Sequence, residues 1–372
     1  ALTGLDTWLR NVFPALLPFF IVSEIMMGIG LVNFFAVLLR PVMGPLFRCP
    51  GESSFIWAMS ITSGYPVGAK LTSSFLERGN ITPHQAQRIM AFCSTSGPLF
   101  MLGAVGIGML NSSSAGKIIA ASHYMASIIV GLIFRFYMPS NHKEPKKIES
   151  PPGIKTAFKA LLSARKKDGR TFGEMLSDAV RNSMNALLYI GGFIILFSVI
   201  IDILLKTGLI SSLSQLLAPI LLPLGIDAQL LPGLMGGILE MTTGCKLIAQ
   251  AAAPLSQKII LSAFVISWSG FSIHCQVMGF LSKSDISIGL YIMTKILHAI
   301  IASILAWAIM KIWPQPDLDA FHQFTPQPIT SFSAQLQSAW QLVVYCILIL
   351  ALTALIPLIA VRLKSSRGPK RP

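Results

Sequence analysis

Apolar positions run in long blocks along this 372-residue chain, and polar positions mostly fall between the blocks. Near-uncharged runs cover about 11–34, 89–110, 116–138, 184–205, 258–281, 288–310 and 339–361. At 1.5 Å per residue each is long enough to cross a hydrocarbon core of ~30 Å, so each predicts a spanning helix. Two further apolar segments, 53–76 and 228–253, are interrupted by Gly, Pro and polar residues, which predicts broken helices there. Composition agrees. The chain is 53% hydrophobic and 12% charged, with mean hydropathy +0.68, against roughly 25% charged in soluble domains. The expected fold class is an all-α polytopic membrane protein.

The blocks also repeat. Leu9-Arg10-Asn11 with Ala15-Leu16-Leu17 resembles Val180-Arg181-Asn182 with Ala186-Leu187-Leu188. Leu38-Leu39-Arg40-Pro41 recurs as Leu216-Leu217-Ala218-Pro219, and Gly68-Ala69-Lys70-Leu71 as Gly244-Cys245-Lys246-Leu247. Ala91-Phe92 and Ser96-Gly97 recur as Ala263-Phe264 and Ser269-Gly270, and Ala126-Ser127-Ile128 as Ala302-Ser303-Ile304. An ordered series of this kind marks a duplication. It predicts a first repeat at 1–140, a basic linker at 141–177 and a second repeat at 178–311. A Pro-rich loop at 312–338 and a last span with a basic tail at 339–372 follow.

Net charge is +14, but its distribution argues against nucleic acid. Nine of the 29 Lys and Arg lie between Lys143 and Arg170, and five more between Arg362 and Arg371. Basic residues beside apolar spans mark the cytoplasmic side. The linker and tail are therefore placed inside, the linker as a solvated connector, and the Pro-rich loop outside. Both ends of 53–76 then face in and both ends of 228–253 face out. The expectation is two inverted repeats, each carrying a broken re-entrant hairpin. The scattered cysteines form no CxxC pair and read as free thiols.

Broken helices at corresponding places in two repeats point to a solute site near the bilayer midplane. Half-helix N-termini leave backbone N–H groups free to bind carboxylates. In the first segment Ser63, Gly64, Tyr65, Gly68 and Lys70 are the candidates, and in the second Glu240, Thr242, Thr243, Gly244 and Lys246. Lys70 and Lys246 have two readings: charges at two opposed tips, or side chains that snorkel to an interface. Glu24 and Glu240 are carboxylates inside apolar segments, where ionisable groups are costly. Each is a coupling group or a structural hydrogen-bond partner, with Lys246 the local match for Glu240. Hydroxyls of Ser94, Thr95, Ser96, Ser267 and Ser269 either bind solute or pack helices. Trp268 either stacks on a flat ring or packs, and His274 and Gln276 lie a turn further on. His123 and His298 lack partners at ligand spacing, so no metal or other cofactor is expected. No GxSxG or HExxH spacing supports an enzyme.

These motifs have a family look. Phe13-Pro14-Ala15-Leu16-Leu17-Pro18-Phe19-Phe20 with Ser23-Glu24 is one part, and Ser63-Gly64-Tyr65-Pro66-Val67-Gly68-Ala69-Lys70 another. Gly191-Gly192-Phe193-Ile194-Ile195-Leu196-Phe197-Ser198, and Ser269-Gly270 before His274-Cys275-Gln276, complete the set. Over about residues 10–310 the chain resembles the YlbJ-type sporulation integral membrane proteins, which carry the gate or nucleoside-recognition domain. The resemblance implies a secondary transporter moving dipicolinic acid across the outer forespore membrane for spore maturation and cortex formation. It also implies a further N-terminal span ahead of Ala1. Two alternatives stay open: a non-transporting protein of cortex or coat assembly, and a nucleoside-type transporter. Expected partners are a small anionic solute such as dipicolinate and the lipid bilayer. A second copy of the chain is left open.

Overall fold

A computed structural model describes residues 1–51, 53–77, 79, 81–137, 153–282 and 284–312. The expected Pro-rich loop from 313, the last span and the tail lie outside the described residues, as do residues 138–152 at the end of the first repeat and the start of the linker. The described residues are helical throughout, without strands. Helices Ser113–Phe134, Phe172–Lys206, Leu255–Leu281 and Ile288–Ile312 are long and apolar enough to cross a membrane.

The first half opens with α1 (Leu2–Thr7), which runs through a π-helical turn at Trp8–Val12 into α2 (Phe13–Gly28). Gly30, with φ +83, turns the chain into α3 (Leu31–Phe47). The expected span 11–34 therefore ends earlier, at a glycine whose left-handed backbone a side chain resists. Next come α4 (Ser53–Ser63) and α5 (Val67–Glu77), joined by a three-residue tip. Eleven residues reach only ~16 Å, about half the hydrocarbon core. The segment 53–76 is thus a helical hairpin of two short arms. The sequence Thr82-Pro83-His84-Gln85 then starts α6 (Pro83–Cys93) through a capping box. The chain opens at 94–97 and resumes as a π-helical stretch at Phe100–Met109, and the side chain of Ser112 caps α7 (Ser113–Phe134). The single span expected at 89–110 is broken at Ser94–Gly97.

The linker is not only a solvated tether. Residues Ile154–Asp168 form α8, which ends at Gly169 in a left-handed conformation and packs on α3. Gly30 meets it backbone to backbone, since a Cβ there would sit 2.6 Å from the Leu161 carbonyl oxygen. Thr171 and Glu174 form the capping box that starts α9 (Phe172–Lys206).

From α9 the second half repeats the order of the first. α10 (Leu209–Leu221) is followed by a hairpin of α11 (Leu231–Leu239) and α12 (Met241–Gln250). Its arms pack through glycines: a Cβ on Gly244 would run into Gly237, and one on Gly233 into Ile248. The expected span 258–281 divides into α13 (Leu255–Trp268) and α14 (Gly270–Leu281), with Ser269 between them at φ +75. α15 (Ile288–Ile312) completes the set. Each half is long helix, shorter helix, hairpin, broken helix and final helix.

The halves share a core. One buried cluster combines Met101, Val105 and Ile119 with Leu234, Ile248 and Ile266. The equivalent long helices α2 and α9 pack together, and Trp8 Nε1 donates to the Leu187 carbonyl oxygen at 3.1 Å. On α15 the pattern of a soluble helix is reversed. Ile296, Ile300, Ile304 and Trp307 are exposed on one face, while Tyr291, Lys295 and His298 are buried on the other. Apolar side chains outward and ionisable ones inward is the arrangement hydrocarbon surroundings select.

Candidate functional site: a cavity between two hairpin tips

Each hairpin tip rests on the break of the helix that follows it. In the first half Gly64 turns at φ +74, and a Cβ there would lie 2.6 Å from the Gly97 amide nitrogen. In the second, Gly270 at φ +78 would bring a Cβ within 3.0 Å of the Met241 nitrogen and 3.1 Å of the Glu240 Cα. Positive φ at Ser269, a residue with a side chain, is a sparsely populated conformation held by its surroundings. The halves also join directly: Tyr65 Oη donates to the Ile266 carbonyl oxygen at 3.3 Å.

A cavity opens where these four pieces meet. Ser63, Gly64 and Tyr65 line it from the first tip, and Glu240, Met241 and Thr242 from the second. Ser96 and Gly97 come from the first break, and Ser272, Ile273 and Gln276 from α14. Phe20, Phe100, Ile190 and Ile194 supply an apolar wall. The empty volume is about 630 Å³ with its open mouth included. Apolar walls with a few placed polar groups are typical of small-molecule sites.

Glu240 is the ionisable carboxylate of the lining, 2% exposed. Its Oε1 accepts from the Thr242 amide at 2.8 Å and its Oε2 from the Thr243 amide at 2.6 Å. The half-helix N-terminus expected to bind a solute carboxylate is thus already capped by the chain's own. This is an N-cap in the usual sense, satisfying donors that the helix leaves orphaned. The expected pairing of Glu240 with Lys246 does not form. Lys246 Nζ donates instead to Thr7 Oγ1 at 2.9 Å. Lys70 is exposed, and neither lysine lines the cavity. The two lysines therefore do not stand at opposed tips, because Lys70 is the fourth residue of α5 and Lys246 the sixth of α12, and helix carries each away from its turn.

The remaining candidates support the cavity from behind. Gly68 lets α5 approach the Cys93 carbonyl. Ser94 Oγ meets Tyr291 Oη at 3.1 Å, and Thr95 Oγ1 donates to the Ser60 carbonyl oxygen at 3.2 Å. Trp268 Nε1 donates to the Ile238 carbonyl oxygen at 3.0 Å, tying α13 to the second hairpin. Ser269 Oγ donates to the Trp268 carbonyl oxygen. His274 is fully buried against Trp268, with ring centroids 4.4 Å apart, and neither ring nitrogen has a hydrogen-bond partner among the described residues. Glu24 lies elsewhere, where its Oε2 accepts from Asn182 Nδ2 at 3.3 Å on the α2–α9 contact.

One group escaped the sequence reading. Lys295 is 0% exposed and sits behind Tyr65. Its Nζ donates to Tyr65 Oη at 2.7 Å and to the Ser94 carbonyl oxygen at 2.9 Å, and lies 3.3 Å from His298 Nδ1. His298 Nε2 donates to the His123 carbonyl oxygen at 2.9 Å. His123 Nε2 accepts the Ser96 amide at 3.0 Å, so its Nδ1 donates to Ser267 Oγ at 2.7 Å. A lysine in the interior of an apolar helix was the available signal, since such groups are functional candidates by default.

A helical membrane protein whose two short-armed hairpins and two broken helices enclose a polar cavity is the class these features define. The chain belongs to the Gate family: the family model, described as nucleoside recognition, matches residues 9–113 and 187–312. It is similar to a protein named "Sporulation integral membrane protein YlbJ" of Bacillus subtilis (strain 168). The two are 39% identical over 322 residues, 86% of this chain and 78% of that protein. An uncharacterized protein of Alkalihalophilus pseudofirmus is 31% identical over 144 residues, 37% of this chain and 29% of its own length.

Proposed function

We propose that the chain is a secondary transporter of a small organic anion, with dipicolinate the substrate, acting in sporulation at the outer forespore membrane. The observation that carries the transport reading is the convergence of two hairpin tips and two helix breaks on one cavity. Irregular backbone at membrane depth is tolerated where it lines a cavity or is buried in protein, and in transporters such breaks hold the solute. The relative's name supports the sporulation setting, and the family resemblance supports dipicolinate. The two halves follow one element order and are related by inversion, with the linker on the cytoplasmic side.

In this reading Ser63, Ser96, Ser272 and Gln276 hydrogen-bond the solute, and Phe20 and Phe100 cover its ring. A dianion enters with Glu240 protonated, which couples uptake to a proton. The same carboxylate favours a second reading. Glu240 beside Gln276 matches a neutral solute with several hydroxyl or amide donors, such as a nucleoside.

The test is uptake into vesicles of the purified protein, with labelled dipicolinate and a labelled nucleoside in parallel. Dipicolinate uptake that falls at least about tenfold in Gln276→Leu, the loss expected for a buried solute hydrogen bond, supports the first reading. Uptake of the nucleoside alone supports the second. Uptake of neither moves the protein to the assembly role.

A further inference from the structure

We propose that Lys295 is a fixed cation which gives the cavity its preference for an anion, acting through Tyr65 as a specificity-determining residue. The inference rests on the transport reading and adds the group that selects charge. It starts from hydrogen-bond direction. His298 Nε2 faces a carbonyl, which only accepts, so its proton is there and Nδ1 turns a lone pair toward Lys295. The Ser94 carbonyl oxygen also only accepts. The Tyr65 hydroxyl gives its proton to the Ile266 carbonyl and offers Lys295 a lone pair. All three groups around Nζ can accept, so an ammonium there places its three N–H bonds on three acceptors.

That ammonium has no carboxylate partner among the described residues. The titratable groups facing it are Tyr65, Tyr291, His298, His123 and His274, with Tyr124 beside His123. Its Nζ also lies 4.8 Å from the Tyr65 ring centroid. A buried cation is usually paired, because an isolated one is costly. Here the cavity lies on the other side of Tyr65, so an anion bound there is the missing counter-charge. Glu240, across the cavity, sets the opposite condition: once it takes a proton, the net field at the site is positive.

The experiment compares binding of dipicolinate and of its uncharged diamide, pyridine-2,6-dicarboxamide, to the purified full chain in detergent by calorimetry. The expected result is that the wild type prefers the dianion and Lys295→Arg keeps that preference. Lys295→Gln should lose about tenfold or more in dianion affinity, the scale of one unit charge across a protein interior, with diamide binding unchanged. Equal loss for both ligands, or for neither, overturns the proposal. A wild type that prefers the diamide overturns the anion reading and this proposal with it. A failure in the variants alone leaves the anion reading standing. Should Lys295→Gln fail to fold, Lys295→His supplies a charge that titrates. Its dianion preference should fall more steeply with rising pH than that of the wild type, whose slope comes from Glu240 alone, and equal slopes overturn the proposal.

Discussion

Gly64 stands so close to Gly97 that a side chain on the first would press on the backbone of the second, 2.6 Å from Cβ to amide nitrogen. The contact is not symmetric. A Cβ on Gly97 would find its nearest Gly64 atom at 3.6 Å, an ordinary van der Waals distance. The first hairpin tip thus depends on one glycine for both its left-handed turn and its seat on the broken helix.

Gly64→Ala is therefore expected to lower thermal stability in detergent and Gly97→Ala to leave it nearly unchanged. The left-handed backbone alone costs a side-chain-bearing residue about 1–2 kcal/mol, and the crowding adds to it. Thermal unfolding of the two variants side by side checks this. Equal melting temperatures would show that the tip does not sit on the break.

The second hairpin closes on Gly244 against Gly237, backbone to backbone, where nothing yields. Gly236 meets only the end of the Leu247 side chain, which can rotate. Gly244→Ala should then destabilise the protein by an amount in the range of overpacked cores, about 1–3 kcal/mol, with Gly236→Ala much milder. Denaturant or thermal unfolding of both separates them.

Legibility in the sequence divided by length scale. Hydropathy and the ordered repeat marked the helix-rich blocks of the two halves and both hairpins, since burial in hydrocarbon writes itself over twenty residues at a time, but not α8 of the linker, whose sequence is rich in charge. The tips at Ser63–Tyr65 and Glu240–Thr242 were also readable, from glycine, proline and polar residues inside apolar runs. What the sequence did not show was direction. A lysine a few residues past a turn reads as part of the turn, yet helix geometry points Lys70 outward and Lys246 to Thr7. Breaks at Ser94–Gly97 and Ser269 were read as hydroxyls on continuous spans, because Ser269 takes positive φ without being glycine. Lys295 was passed over since no local motif surrounds it, its partners lying about 200 residues away in Tyr65 and Ser94.

At the junction of α8 and α9, Arg170 bridges Asp168 at 2.6 Å and Asp178 at 2.9 Å. The hydrogen bonds from Arg170 hold the Asp168 carboxyl below its ordinary value of 3.8. A depressed carboxyl stabilises the folded junction at pH above the unfolded value and loses that contribution as pH falls through the folded one. Hydrogen-exchange protection of α8 is expected to be level from pH 7 to about 5 and to fall below about 4. Asp168→Asn should remove the acid step and lower the plateau. A step that persists in the variant would assign it to another group.

Glu240 gives the sharpest functional expectation. Its carboxylate lines the cavity, caps α12 through Thr242 and Thr243, and has no ion-pair partner among the described residues. Lowering the pH protonates it, removes a like charge from the path of a dianion, and leaves a carboxylic acid able to donate to the solute. Dipicolinate uptake by the wild type should therefore rise as pH is lowered. Glu240→Gln fixes the neutral form and keeps one acceptor for the α12 amides, so its uptake should lack that pH dependence. Glu240→Ala removes the cap altogether, at a cost of about 1 kcal/mol or more in stability, and should lower the melting temperature further than the glutamine variant, which keeps one of the two acceptors. A pH slope in Glu240→Gln equal to that of the wild type would place the coupling proton on a different residue and return Glu240 to a capping role alone.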